Sequence, residues 1–309
     1  MNRKFLVIGK NGQVGTELLR ELARHGKVAA LDRREVDLAK PDSVRRAIQE
    51  NRADVIVNAA AYTAVDLAEK EETLAKAINA DAPAIMAEEA KKTGALLVHY
   101  STDYVFDGTK KTAYIESDAT NPLGAYGRTK LAGEQGVAAS GASHLIVRTA
   151  WVYGRRGKNF LLTILRLAAE REELRIVEDQ RGAPTWCREI ARGTASLLEK
   201  MLTKPPEEIR SASGIYHVTA GGTASWFDFA KAIVTSATAA KHQPDWLRRA
   251  TNHRALIVNR VTPIPSSEYP TPAKRPAYSV LSNEKVERDF GVTLPTWEQQ
   301  LAEVFSGDD

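Results

Sequence analysis

Phe5-Leu6-Val7-Ile8-Gly9-Lys10-Asn11-Gly12-Gln13-Val14-Gly15 is the stretch whose reading decides the fold. Four apolar residues in a row, bounded by glycine, suit a strand buried on both faces. Val14, Leu18, Leu19 and Leu22 then recur at helical spacing. Between strand and helix the three glycines fall where the chain must bend tightly and where backbone must approach a ligand closely. The helix beyond points its first N–H groups and its positive dipole end back at the turn, which suits a pyrophosphate. A Gly-x-x-Gly-x-x-Gly string is a weak signal by itself. Its place at the first strand–helix junction gives it weight, and Gly9, Gly12, Gln13, Val14 and Gly15 are expected to hold a dinucleotide.

Outward from this turn the pattern repeats. Residues 28–31 read as a second strand, and Pro41 opens a helix carrying Val44, Ala47 and Ile48. A third strand spans 54–58, and a long helix spans about 71–92, stopped by Gly94. A fourth strand follows over 96–100, then a helix over 126–137 and a fifth strand over 145–147. Strand–helix–strand units of this length imply parallel strands joined by right-handed crossovers. The expected class is α/β, a doubly wound parallel (Rossmann) sheet with a smaller α/β substrate-binding lobe. Ligands of such sheets sit beyond the carboxyl ends of the strands.

The second half is less regular. Helices are expected over 159–170, 186–201 and 225–240, and strands over 174–177 and 214–218, the last able to return to the main sheet. Pro263, Pro265, Pro270, Pro272 and Pro276 mark a loop. The expected division is a dinucleotide-binding domain over 1–155, with 186–220 returning to it, and a substrate-binding lobe over 156–185 and 221–309.

Composition narrows the function. At 43% hydrophobic and 27% charged the chain is ordinary globular protein. Its 309 residues suffice for a sizeable core. A net charge of +4 without a dense basic run interleaved with aromatics argues against nucleic acid. Cys187 is the only cysteine, so no intrachain disulfide can form, and a small buried side chain is its plainest role. No apolar run reaches 18 residues and the first is too short for a leader, so a cytoplasmic protein without membrane contact is expected. His99, His144 and His217 read as packed or hydrogen-bonded side chains, and no histidine pair has the spacing of a zinc site. Trp226, Phe227 and Trp297 read as core.

Two groups of residues carry chemistry. Asp32 ends the second strand, where a carboxylate favours the free 2′-hydroxyl of NAD. Arg33 and Arg34 follow at once, and a guanidinium can pair with the 2′-phosphate of NADP. The cues conflict, so NADPH with NADH also accepted is expected. Tyr126 and Lys130 stand four apart on a helix and share a face. A close ammonium would favour phenolate and bring the phenol towards working pH. Ser101-Thr102-Asp103 follows a strand, and a hydroxyl there can bond the phenol or a substrate oxygen.

Taken together, Gly9 to Gly15, Asn58-Ala59-Ala60-Ala61-Tyr62-Thr63, Ser101-Thr102-Asp103-Tyr104-Val105-Phe106-Asp107-Gly108 and Tyr126-Gly127-Arg128-Thr129-Lys130 resemble the extended short-chain dehydrogenases of nucleotide sugars. Arg148-Thr149-Ala150-Trp151-Val152-Tyr153, Asp179-Gln180-Arg181-Gly182-Ala183-Pro184-Thr185 and Pro270-Thr271-Pro272-Ala273-Lys274-Arg275-Pro276 extend the likeness to the dTDP-4-dehydrorhamnose reductase family over nearly the whole chain. The resemblance implies Gly12, Gln13 and Val14 on the pyrophosphate, Asp32 near the adenosine ribose, and Asp37 and Leu38 beside the adenine. It implies Ala61, Tyr62, Thr63 and Tyr100 along the cofactor, and Thr102, Asp103 and Trp151 at the sugar. Tyr126 would deliver a proton, and Lys130 would bind ribose and tune Tyr126. Arg275 is a candidate for the nucleotide diphosphate. The implied reaction is NAD(P)H-dependent reduction of dTDP-4-dehydro-L-rhamnose at C4, giving a precursor of surface polysaccharide such as lipopolysaccharide.

Some members of this family form magnesium-linked dimers through an acid on the first helix and further acids on a later one. Glu17 fills the first position here, but the later helix carries Arg188, Glu189 and Arg192. Arginines facing that site would repel a divalent cation, so magnesium is doubtful and a monomer or weak homodimer is expected. Two other readings stay open: another nucleotide-sugar enzyme of the same fold, such as a C4 epimerase, and a reductase-like regulatory subunit of methionine adenosyltransferase.

Overall fold

The computed structural model describes residues 3–240 and 244–307. The first half builds strands β1 (Arg3–Ile8), β2 (Gly26–Leu31), β3 (Val55–Asn58), β4 (Leu96–Thr102) and β5 (His144–Thr149). Between them run helices α1 (Gln13–Leu22), α2 (Pro41–Asn51), α3 (Val65–Ala68), α4 (Glu72–Lys76), α5 (Ala82–Thr93) and α6 (Ala125–Ala139). The second half adds the two-residue strand β6 (Val152–Tyr153), then α7 (Phe160–Ala168) and β7 (Glu173–Val177). Two further short strands, β8 (Arg181–Gly182) and β9 (Thr185–Trp186), lead to α8 (Cys187–Leu202) and α9 (Pro206–Ser211). After β10 (Gly214–His217) come β11 (Ala224–Ser225), α10 (Trp226–Ala239), α11 (Asp245–Ala250), β12 (Arg260–Ile264), α12 (Glu284–Phe290) and α13 (Trp297–Ser306).

The main sheet has six strands in the order β10-β5-β4-β3-β1-β2, every neighbouring pair parallel. The order reverses between β1 and β3, and there the Gly9–Gly15 turn stands. Alternate residues of each strand feed opposite faces. Phe5, Val7, Val55, Val57, Val98 and Leu145 pack on one side with α1 and α8. Leu6, Ile8, Ile56, Leu97 and Ile146 pack on the other with α2 and α5. A third cluster joins Tyr153, Leu161, Trp186, Phe229 and Trp297 in the second half.

Several boundaries differ from expectation for identifiable reasons. The second strand begins two residues before the expected Val28: α1 stops at Leu22, and Gly26 opens β2 against Arg3. The long helix over 71–92 is α4 and α5 joined by a π turn at Ala77–Asp81, which hydropathy cannot display. Gly94 does close it, at φ +73°. Ser101 and Thr102 are inside β4 rather than beyond it, because β4 pairs with β5 as far as Thr102↔Thr149. The proline-rich segment is not all loop: Pro263 sits in β12, which pairs with β7 alone, so the missing proline N–H costs no second neighbour. Among the described residues no helix is long and apolar enough to cross a membrane.

Candidate active site

The turn after β1 is closed by backbone. Gly9 adopts φ +97°, and its carbonyl accepts the Gly12 N–H at 2.9 Å. A Cβ on Gly15 would stand 2.1 Å from that carbonyl oxygen, and one on Gly9 would stand 2.9 Å from Ala60 N. No side chain fits at either place, so helix and strand close up and leave the first amides of α1 open at Gly12, which is exposed. Gln13 and Val14 are half-buried, and Gln13 Oε1 accepts from Asn159 Nδ2 at 2.7 Å.

Asp32 is buried at the end of β2. Its carboxylate accepts from the Arg34 guanidinium at 2.9 Å, the Arg34 N–H at 2.8 Å and Asn11 Nδ2 at 2.9 Å. The Arg34 contacts hold it well below the usual carboxylate range. Arg33 is exposed at the same turn. Asp37 and Leu38 are half-buried just beyond, with Asp37 N–H bonded to Ser43 Oγ at 3.0 Å.

After β3, Ala61 and Tyr62 are half-buried and Thr63 is exposed. Asn79, placed by the π turn, holds this loop. Its Oδ1 accepts the Tyr62 N–H at 2.8 Å, while its Nδ2 reaches the Tyr62 carbonyl at 3.1 Å and Thr129 Oγ1 at 3.2 Å. One amide therefore joins the loop after β3 to α6. Neither hydrophobic periodicity nor a motif marked Asn79 in advance; π turns of this kind gather at functional sites.

Tyr126 and Lys130 do share one face of α6. Tyr126 is half-buried and has the Thr102 side chain as a neighbour. Burial pushes the Tyr126 phenol up to about 12, against the lowering effect of Thr102. The expected approach of ammonium to phenol is not what the structure holds. Lys130 Nζ donates to the Tyr100 carbonyl at 2.5 Å and lies 3.4 Å from His99 Nε2. Burial brings this lysine down to about 8, opposed by Glu134.

Thr102 Oγ1 donates to Asp103 Oδ1 at 3.0 Å. Asp103 is buried behind it, and its Oδ2 has no partner. Burial pushes its carboxyl up to about 6. Ser101 Oγ is buried without a partner, so Thr102 is the hydroxyl that meets Tyr126. Tyr100 also departs from expectation. Its ring lies in the core with Val98, and its hydroxyl bonds Thr194 Oγ1 at 2.7 Å. Only its carbonyl serves this region.

Trp151 stands two residues beyond Thr149, the partner of Thr102, at φ +46°. Its indole stacks on Trp226 with ring centroids 3.4 Å apart and planes parallel. Trp226 is therefore not simply core; it is half-buried and joins Trp151 to Phe160. An aromatic at the start of an apolar helix looks like core in sequence, and only the fold sets it against Trp151. Arg275 bonds Asp66 at 2.9 Å and the Ala273 carbonyl at 3.2 Å, and Tyr104 is its neighbour. Tyr104 meets Tyr126 edge to face at 5.5 Å. This brings the proline-rich segment to the same tyrosine.

The other weighted residues are structural. Cys187 is buried and its thiol is pushed up to about 12 by burial. Glu17 is bonded by Arg188 at 3.1 Å, and Glu189 by Arg192 at 2.6 Å. Among the described residues no group of three or more His, Cys, Asp or Glu could hold a metal ion.

A glycine cradle at the switch point of a parallel sheet, with a tyrosine and a lysine four apart on the helix beyond β4, defines the short-chain dehydrogenase/reductase class. The RmlD substrate binding domain family model matches residues 3–308. The dTDP-4-dehydrorhamnose reductases of Burkholderia thailandensis and Shigella flexneri are 52% identical over 95% of each chain and 44% identical over 98% of each chain. A solved dTDP-4-dehydrorhamnose reductase from Bacillus anthracis, in complex with NADP, aligns at TM-score 0.85 and 35% identity over 99% of both chains. This chain belongs to the dTDP-4-dehydrorhamnose reductase family.

Proposed function

We propose that this chain reduces the C4 ketone of dTDP-4-dehydro-L-rhamnose to give dTDP-L-rhamnose, using NADPH and also accepting NADH. The observation that carries the reading is Tyr126 and Lys130 on one face of α6 with Thr102 beside the phenol at the carboxyl end of β4, in a chain alike over nearly its whole length to reductases of that name. The epimerase and regulatory-subunit readings gain no support from these relatives.

The coenzyme fits the residues present. The Gly9–Gly15 turn leaves room where a Cβ would collide with backbone and opens the amides of α1 towards a pyrophosphate. Gly12, Gln13 and Val14 would hold it there, Asp32 and Arg33 with Arg34 the adenosine ribose and 2′-phosphate, and Asp37 with Leu38 the adenine. Ala61, Tyr62, Thr63, the Tyr100 carbonyl and Lys130 would line the rest. When bound, NADPH supplies the hydride that reduces C4.

The chain's own part is positioning and one proton. A phenol raised to about 12 stays protonated at neutral pH, the form that can give a proton to O4. Thr102 lies beside the Tyr126 hydroxyl and, with its proton turned away from Asp103, can donate to the same oxygen. Trp151 flanks the sugar, Asp103 supports Thr102 from behind, and Arg275 offers its guanidinium to the diphosphate. In this reading residues 1–155 and 186–220 carry the dinucleotide, and 156–185 with 221–309 cover the sugar. We place the reaction in the cytoplasm, on a small-molecule substrate, by a monomer or weak homodimer without magnesium, its product serving surface polysaccharide.

The test is NADPH oxidation with enzymatically made dTDP-4-dehydro-L-rhamnose, NADH alongside, with the product identified. Rapid oxidation yielding dTDP-L-rhamnose is expected. Tyr126→Phe should lose roughly 100-fold or more of turnover with NADPH binding unchanged. A folded, NADPH-binding sample that oxidises nothing overturns the proposal.

A further inference from the structure

Beneath Lys130 lies a buried pair that the reaction above does not use. Asn58 and His99 are 1% and 0% exposed. Asn58 Nδ2 stands 3.1 Å from His99 Nδ1, and Asn58 Oδ1 accepts the Ala60 N–H at 3.2 Å. The second contact sets the amide. Turning it over would oppose its NH2 to the Ala60 N–H. The NH2 therefore faces the ring, and an amide nitrogen only donates. His99 Nδ1 must accept, so the proton of the neutral imidazole is on Nε2. That Nε2 is 3.4 Å from Lys130 Nζ, and an ammonium also only donates. A charged lysine thus meets an N–H where it needs a lone pair.

We infer that the Asn58–His99 pair is a positioning device that faces Lys130 with an N–H and so weakens its hold on its third proton. The Tyr100 carbonyl takes one lysine N–H at 2.5 Å. On losing a proton Nζ gains the lone pair that His99 Nε2–H can enter, so the neutral amine is the form both neighbours satisfy. The other titratable and charged groups nearby are Tyr126 on α6 itself and Glu134 one turn further, which favours the ammonium. Glu134 is occupied by Arg148 of β5 at 2.6 and 2.9 Å. Burial acts in the same direction as His99, bringing Lys130 to about 8. The consequence is a lysine able to exchange a proton near neutral pH.

This rests on the proposed role of Lys130, and its test separates the two. Long-range 1H–15N spectra of the unliganded protein report which ring nitrogen of His99 carries the proton. The Nε2–H form is expected at pH 7; the Nδ1–H form or an imidazolium overturns the inference, whatever the activity. In Asn58→Asp a carboxylate draws the ring proton to Nδ1 and turns Nε2 into an acceptor for the ammonium. The basic limb of the kcat/KM profile is then expected to move up by about one pH unit or more, and an unmoved limb overturns the inference. Should Asn58→Asp fail to fold, the wild-type spectrum still decides. An Nε2–H tautomer in a protein that does not turn over the dTDP-ketosugar overturns the function and leaves the pair as inferred.

Discussion

Arg34 shows how one residue can reconcile two conflicting signals. Read in sequence, Asp32 favours NAD and the two arginines favour NADP. In the fold the Arg34 guanidinium lies on the Asp32 carboxylate at 2.9 Å, so the acid's charge is countered where a 2′-phosphate would otherwise be repelled. Arg34→Ala uncovers that carboxylate and, in the proposed reading, removes a partner of the phosphate as well. The ratio of NADPH to NADH Michaelis constants should rise by about tenfold or more; an unchanged ratio in steady-state kinetics would remove Arg34 from coenzyme choice. Asp103 gives a second prediction at this scale. The unfolded chain releases its proton near pH 4, while burial holds it in the folded protein up to about 6. The folded state therefore binds more protons across that window, and this residue's contribution to stability is lost as pH rises through it. In urea unfolding at pH 4, 6 and 8, Asp103→Asn should be stabilised relative to wild type more at pH 8 than at pH 4. Residue types were legible in the sequence; what each side chain bonds was not. Tyr100 and Trp226 illustrate this, since strand direction and helix docking decide which way a ring turns.

At the scale of elements, most of the first half was legible because buried parallel strands are short apolar runs and their helices carry a clear stripe. The π turn escaped because its extra residue leaves composition unchanged, yet it sets Asn79 between the loop after β3 and α6. The smaller strands of the second half escaped because two-residue pairings such as β6 with β9 and β8 with β11 have no period to read. Gly182 in β8 is where such an element acts on the site. A Cβ there would stand 2.4 Å from the Trp151 ring, and that ring is already stacked on Trp226 at a backbone φ of +46°, a costly region for a non-glycine residue. The indole has one seat, between glycine and tryptophan. Gly182→Ala should displace it and raise the Michaelis constant for the nucleotide sugar by about tenfold, with that for NADPH unchanged. Equal changes in both would place the defect in the fold rather than in the Trp151 seat.

Across the whole molecule, ion pairs that join distant segments differ in kind, as two of them show. Arg148 and Glu134 tie β5 to α6 with both side chains 2% exposed. Breaking such a pair leaves a buried charge, and Glu134→Ala is expected to cost about 3–5 kcal/mol in urea unfolding. Arg275 and Asp66 tie the proline-rich segment to α3 and are 22% and 42% exposed. An open pair of this sort contributes about 0–1 kcal/mol, so stability is a poor reason for it. Its position is a better one. Arg275 also neighbours Tyr104, whose ring meets that of Tyr126 edge to face, and this places a guanidinium from the second half near the tyrosine of the first. In the proposed reading a diphosphate takes the guanidinium from Asp66, an exchange at an open ion pair. Arg275→Ala should therefore leave the urea midpoint nearly unmoved and the NADPH Michaelis constant unaltered, while raising that for the nucleotide sugar by about tenfold or more. A midpoint shift comparable to that of Glu134→Ala, with substrate affinity retained, would make the pair a structural strut instead.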